Sequence, residues 1–438
     1  VAIEEINEDE LVNIIEKRTA LSRSVDDIIS REREDSLDFY NQEPYGTEQE
    51  GRSKFVTSEV RDTIEWILPQ LMDMFLGGEN PVSFRPQNAD DIEGAEQEAS
   101  YVRYAVDQQN NGFLNLYEWF KDALLSKNGT MKTYWDENEL ETDEEYENQS
   151  LAELIVLNKD EGLEIKKITS FIKDLKAEDN KKQIKEYKTV EALSKDIANK
   201  KIPIDDPNFT FDIEARREED LSRVDEYVVP PENLLVDANQ TTLDLNDTEF
   251  VREDFFLTES DLRKMDIDEE IIENLPSEGD LDVENTETQN RFKKEGGIFN
   301  LNTTDRSTRR IKVSDVYIKV DFNGDGIAER RFVKLGADNV VLENKEVDTQ
   351  PYTTITPNIM AHKFYGMSIA DMVADIQELS STLWRQTLDS LYLANNPRHA
   401  VLSGQVELDD LLTSRPGGIV REDVSGAVRP LNTEFVGA

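Results

Sequence analysis

The run Asp321-Phe-Asn323-Gly-Asp325-Gly326, followed by Glu329, comes closest to a chemical motif. Asp321, Asn323 and Asp325 stand at every second position, as the first oxygen ligands of a calcium loop do, and Gly326 falls where that loop turns sharply. The twelfth position, however, is Phe332, where such a loop needs a bidentate Glu. The flanks alternate as strands do, not as helices. A tight β-turn, with Asn and Gly supplying positive φ, uses the same residues. The turn is the reading adopted, and no cofactor is expected. An incomplete cation site would use Asp321, Asn323, Asp325 and Glu329.

Other chemistry is thinly supported. There is no Gly-Lys dipeptide, hence no phosphate loop of the Walker type, and any ATP-driven step belongs to a partner. Neither a Gly-x-Ser-x-Gly elbow nor a His-Glu-x-x-His helix occurs. Cysteine is absent, and His362 and His399 are the only histidines, so thiol chemistry and His-rich metal sites drop out. Carboxylate pairs carry no information among 94 Asp and Glu. The expectation is a protein that is not an enzyme.

Those acids face only 49 Lys and Arg, for a net charge of -45. A protein that wraps nucleic acid tightly displays the opposite sign. With 37% hydrophobic residues, 18 Phe and 13 Tyr, the chain still has the material for several cores. No stretch approaches the roughly 20 apolar residues of a membrane span, so no membrane partner is expected. Arg385, Arg398, Arg415 and Arg421 could meet phosphate; salt bridges between subunits, to a partner's carboxylates, are the preferred reading.

Periodicity supplies the framework. Apolar spacing predicts helices over 8–40, 58–75 (with Pro69 inside), 90–109 and 113–126, then a strand at 131–135. Residues 136–205 are dense in charge and read as an exposed, partly helical insertion. From Phe209 the period shifts to two, with strands at 209–213, 225–229, 233–236 and 249–256 and a hairpin over 311–335. Thr258 to Asp261 forms a capping box before a short helix, and 277–308 reads as loop. The fold class is mixed α+β, in four regions: helical 1–135, the insertion 136–205, β-rich 206–360, and 361–438 with the longest helix.

That helix runs over 369–395, capped by Ser368 and ended by Asn395-Asn396-Pro397. At 1.5 Å per residue it is a rod of about 40 Å. Its apolar positions include Ile369, Met372, Val373, Ile376, Leu379, Leu383 and Leu388. Opposite them Asp371, Asp375, Glu378, Thr382, Arg385 and Asp389 line up as a polar, net-acidic stripe.

Several segments, in order and at their spacing, resemble the portal proteins of short-tailed double-stranded DNA phages. They are Gly51-Arg-Ser53 into Val60-Arg-Asp-Thr-Ile-Glu-Trp66, Trp119 to Leu125 with Gly129, Val229-Pro-Pro-Glu232, and Asp321 to Arg330. The most specific is His362-Lys-Phe-Tyr-Gly-Met-Ser-Ile-Ala-Asp371, running through Leu391-Tyr-Leu-Ala-Asn-Asn-Pro-Arg398 to Arg415-Pro-Gly-Gly-Ile-Val420. Residues 136–205 lie outside the resemblance. It implies a ring of twelve copies at one capsid vertex of the virion, assembled in the host cytoplasm. Terminase, a tail adaptor, and major capsid and scaffolding proteins would be partners, and DNA would pass through the bore. It also implies a helical wing, a β-containing clip, a stem helix lining the channel, and a crown beyond residue 438. The stripe from Asp371 to Asp389 would then face the channel. The alternatives are another, usually shorter, head–tail connector, an acidic calcium-binding protein, and a metal-dependent nuclease.

Overall fold

In the computed structural model, residues 6–78, 82–88, 91–160, 162–173, 181–198, 209–265, 267–276, 287, 291, 305–413 and 417–431 are described. The chain divides into two compact units, Val1–Lys132 with Glu226–Ala438, and Thr133–Asp225.

The first unit begins with α1 (Glu8–Asn41), whose Asn7 side chain accepts from the Glu10 amide at 2.8 Å. Glu8, Asp9 and Glu10 sit at its positive end, and Gln42, at φ 59°, turns the chain out. Next come α2 (Glu59–Leu76) and α3 (Ile92–Tyr104), the latter prolonged by a π turn over Ala105–Gln109. α4 (Gly112–Ser126) follows, then β1 (Gly129–Asp136). Val60, Ile64, Leu68 and Met72 recur every four residues on α2 and are buried against Phe120 and Leu124 of α4. Each such side chain contributes about 1.5–3 kcal/mol by leaving water. Gly129 is required where it stands, because a Cβ there would strike the Trp119 carbonyl.

The second unit holds β2 (Glu139–Gln149), α5 (Leu151–Leu157), β3 (Leu163–Lys173), β4 (Lys181–Tyr187), α6 (Val190–Ala198) and β5 (Phe209–Asp220). Its strands form one antiparallel sheet in the order β2-β5-β3-β4. Leu154, Ile168, Leu193, Phe211 and Ile213 make its core. Helices α5 and α6 make the segment partly helical, as expected; what the sequence reading did not contain is the sheet, in which the strand after 208 is one of the two inner members. Bulges between Ile165 and Lys167, Ser170 and Phe171, and Tyr146 and Gln149 break the alternation that would have marked these strands.

The chain re-enters the first unit through β6 (Arg223–Val229), β7 (Leu234–Val236) and β8 (Phe250–Thr258). Thr258 and Asp261 form the expected capping box on α7 (Glu259–Lys264), and a separate α8 (Glu269–Asn274) follows. Most of the loop expected over 277–308 lies outside the described residues. β9 (Arg310–Val320) and β10 (Glu329–Gly336) form the expected hairpin, before β11 (Val341–Glu346) and β12 (Tyr352–Ile355). Then come α9 (Ile369–Asn395), β13 (Arg398–Val401), α10 (Leu408–Leu412) and β14 (Val428–Leu431).

Five strands build the larger sheet of this unit, in the order β11-β10-β9-β8-β7, and β12, β1 and β6 build another. Leu11 and Ile15 of α1 pack on one face of the larger sheet, against Phe250, Val316, Ile318 and Val333. Leu262, Ile272 and Leu275 pack with Ile311 and Val313 of β9. Beside them lies a buried ionic quartet. The Lys132 ammonium of β1 donates to Glu253 and to Asp315, both at 2.8 Å, and Lys334 donates to Asp315 at 2.7 Å. Tyr227 and Tyr352 donate to Glu253 at 2.7 and 2.8 Å. Two cations and two anions thus offset one another where neither could stand alone.

Candidate functional site

The N-terminus of α9 is fixed by its own capping box and by side chains from the end of α4 and from α1. Ser368 Oγ accepts from the Asp371 amide at 3.1 Å, and Asp371 Oδ2 accepts from the Ser368 amide at 2.7 Å. The same carboxylate takes Lys127 Nζ at 2.7 Å, and Lys127 also reaches Glu32 of α1 at 2.8 Å. Burial alone would lower the Lys127 pKa; its bonds to Asp371 and Glu32 outweigh that and raise it. Gly366, two residues before the cap, has no room for a Cβ between Thr356 and Asn358.

Further along, a polar row joins α9 to residues 39–60. Gln377 is fully buried; its Oε1 accepts from the Val60 amide at 2.9 Å, and its Nε2 donates to the Phe39 carbonyl at 3.0 Å. Ser381 Oγ accepts from the Thr57 amide at 3.1 Å and lies 3.2 Å from the Tyr45 hydroxyl. Arg385 donates to the Phe55 carbonyl at 2.7 Å and pairs with Glu48 at 2.8 Å, its guanidinium over the Tyr45 ring. Asp389 Oδ1 accepts from the Ser53 amide at 2.8 Å. Gln377, Ser381, Arg385 and Asp389 recur every fourth residue, so they form one line down the helix. That line zips α9 to residues 39–60 and their 43–57 strap, giving the Ser53, Thr57 and Val60 amides side-chain acceptors.

The apolar residues of α9 divide accordingly. Ile369 and Ala370 enter the α2–α4 core. Met372, Ile376, Leu379 and Leu383, spaced four, three and four apart, are exposed, Ile376 by 57% and Leu379 by 62%. Trp384, Leu388, Leu391 and Tyr392 are exposed on the far half of the rod.

The polar stripe read from the sequence is therefore split. Asp371, Arg385 and Asp389 are engaged within the chain. Asp375, Glu378 and Thr382 lie exposed beside the apolar row, with Thr382 Oγ donating to the Glu378 carbonyl at 2.9 Å. Gln377, Ser381 and the strap, which hold α9 to its own chain, were missed in the sequence; the every-fourth spacing of Gln377, Ser381, Arg385 and Asp389 was the available signal. Of the four arginines singled out, Arg385 and Arg421 find carboxylates within the chain, the latter Asp410 at 2.6 Å. Arg398 is exposed, and Arg415 lies outside the described residues.

The Asp321 loop spends its oxygens on its own backbone. Asp321 Oδ1 and Asn323 Oδ1 both accept from the Asp325 amide at 3.0 Å. Asp321 Oδ2 accepts from Gly326 at 2.8 Å, and Asp325 Oδ1 from Ile327 at 2.7 Å. Glu329 receives the Asn323 amide group at 3.3 Å. Gly324 and Gly326 adopt φ of 75° and 89°. The arrangement is a self-satisfied β9–β10 turn, and no group of three or more ligating side chains suited to a metal occurs among the described residues.

The decisive comparison covers nearly the whole chain. The family model of the phage SU10 portal protein matches residues 11–438. The chain belongs to that portal family. No curated protein matches it. The family is a structural one, whose members are parts of the phage head, and the helix-and-sheet mixture of this chain is consistent with it. In this portal chain no described helix is long and apolar enough to cross a membrane.

Proposed function

We propose that the chain is the subunit of a closed ring at a unique capsid vertex, through which double-stranded DNA is packaged and ejected, with α9 in the channel wall. The supporting observation is the division of α9. One side is zipped to its own chain by hydrogen bonds, while a row of large apolar side chains, from Met372 to Leu383, is exposed among the described residues. Exposed apolar rows of this size mark interaction surfaces, and neighbouring copies in a ring would supply the cover. Asp375 and Glu378 flank the row and would border the bore. Facing acids repel phosphate; at about 4 Å two like charges in water cost about 1 kcal/mol, and salt screens them beyond about 8 Å. DNA would slide without being gripped. Twelve copies, a terminase docking at one end and a tail adaptor at the other, with scaffolding and capsid contacts, belong to the same proposal, and membership of the portal family supports it.

Negative-stain microscopy of the purified chain tests the ring: closed annuli with a central hole are expected, and a sample that stays monomeric at all concentrations overturns it. Asp375→Lys with Glu378→Lys should slow DNA translocation in a reconstituted packaging reaction. Unchanged rates in rings carrying both substitutions would remove α9 acids from the bore.

A further inference from the structure

The charge in the Thr133–Asp225 unit is sorted by strand. β2 and β5 together carry eleven Asp and Glu against two Arg, whereas β3 and β4 carry six Lys against two Glu. Lys166 pairs with Asp143, Lys167 with Glu186 and Glu214, and Lys185 with Asp196, yet β3 and β4 keep a sequence excess of four positive charges in a chain of net charge -45. The order β2-β5-β3-β4 puts the two signs at opposite edges. Both edge strands lack a strand partner on their outer side among the described residues, and unpaired edges are templates for further pairing.

We propose that this unit docks on a second copy of the chain, the lysine-rich edge β4 of one copy pairing with the acidic edge β2 of the next. The proposal rests on the ring reading given above. Direction permits it: every neighbouring pair in the sheet is antiparallel, so β2 and β4 run oppositely. A neighbour related by rotation about a ring axis would bring its β2 antiparallel to β4, extending the ladder in its ordinary geometry. Charge selects the partner. Like edges would oppose acid to acid or lysine to lysine, so two-fold pairing is disfavoured and the head-to-tail contact that closes rings is favoured. Glu141, Asp143 and Glu145 are exposed on β2; Arg216 of β5 holds the first two, and Glu145 has no partner among the described residues. DNA is the weaker candidate, because the acids of β5 stand one strand from the lysines of β3.

The absence of native cysteine allows a direct test. The full chain carrying Glu145→Cys and Gln183→Cys, assembled and treated with a short bismaleimide, should give a ladder of multimers on a denaturing gel. Each single variant alone should stay monomeric on that gel. Adding Lys181→Glu, Lys182→Glu and Lys185→Glu should reduce the ladder at least several-fold, with an unchanged circular dichroism spectrum confirming the fold. Rings without a ladder would overturn the edge pairing and leave the ring reading standing. A ladder from open chains, with no closed rings, would support the pairing and overturn the ring. Loss of the ladder on adding duplex DNA, with DNA retained by the lysines, would overturn the pairing in favour of nucleic acid.

Discussion

Single buried charges set the pH behaviour of this molecule. Asp122 of α4 lies 3.8 Å from Arg291, which gives its closer bond, at 2.7 Å, to Glu232. Burial, only partly offset by Arg291 and reinforced by Glu232, Glu118 and Glu287, pushes the Asp122 carboxyl up to about 7. The native state therefore holds a proton that the unfolded chain releases near pH 4, and this contribution to stability is lost as pH rises from about 4 through 7. Asp122→Asn should raise the melting temperature at pH 8 and change it little at pH 5. Equal destabilisation at both values would mean that the Arg291 attraction dominates. Asp315 behaves in the opposite sense: burial raises it, but Lys132 and Lys334 outweigh burial and hold it below the usual carboxylate range. Its stabilisation is present above about pH 4 and disappears as pH falls. Lys132→Met would strand Glu253 and Asp315 without their shared cation, at about 3–5 kcal/mol by analogy with broken buried pairs. Chemical denaturation at neutral pH reads that loss, and a loss below 1 kcal/mol would show that water or Lys334 replaces the ammonium.

At the level of elements, α9 decides how neighbours can meet. Gln377→Leu keeps its size but leaves the Val60 amide without its partner, which costs about 1–3 kcal/mol, while the Phe39 carbonyl keeps the Gln42 amide at 3.2 Å. Ile376→Ser with Leu379→Ser removes apolar surface that is already in water, so the monomer should melt as before while assembly fails. Scanning calorimetry and sedimentation velocity separate the two effects; loss of monomer stability in the serine pair would mean the row packs within the chain. Much of this element was legible in the sequence. Ser368, the period from Ile369 to Leu391 and the stop at Asn396 gave the helix and both its ends. Which side faces the chain was not legible, because apolar periodicity marks a side to be covered without saying by which molecule. Here the intramolecular side is partly built from Gln377, Ser381 and Arg385, whose partners lie more than 300 residues away in sequence. The β9–β10 turn was readable because Asn-Gly-Asp-Gly acts locally. The sheet of residues 139–220 was not, because bulges interrupt its alternation and β5 pairs across long sequence gaps.

On the scale of the whole molecule, a net charge of -45 opposes any assembly of like copies, yet the surface carries short-range features that favour one. The two act over different distances. Repulsion between whole subunits extends to about 30 Å at 0.01 M salt and to about 8 Å at 0.15 M. Covering Met372 to Leu383 needs contact, gains nothing from low salt, and is strengthened by salts that drive apolar groups together. The edges β2 and β4 would meet within the strand spacing of about 5 Å, inside the screening length at either concentration. Ring yield should therefore rise between about 0.01 and 0.15 M salt, because the long-range term collapses first. Sulfate should act more strongly than chloride at equal ionic strength, because it also strengthens apolar burial. Sedimentation velocity across a salt series measures this directly. A yield that instead falls steadily with salt would mean that unlike charges, and not the apolar side of α9, supply most of the association free energy.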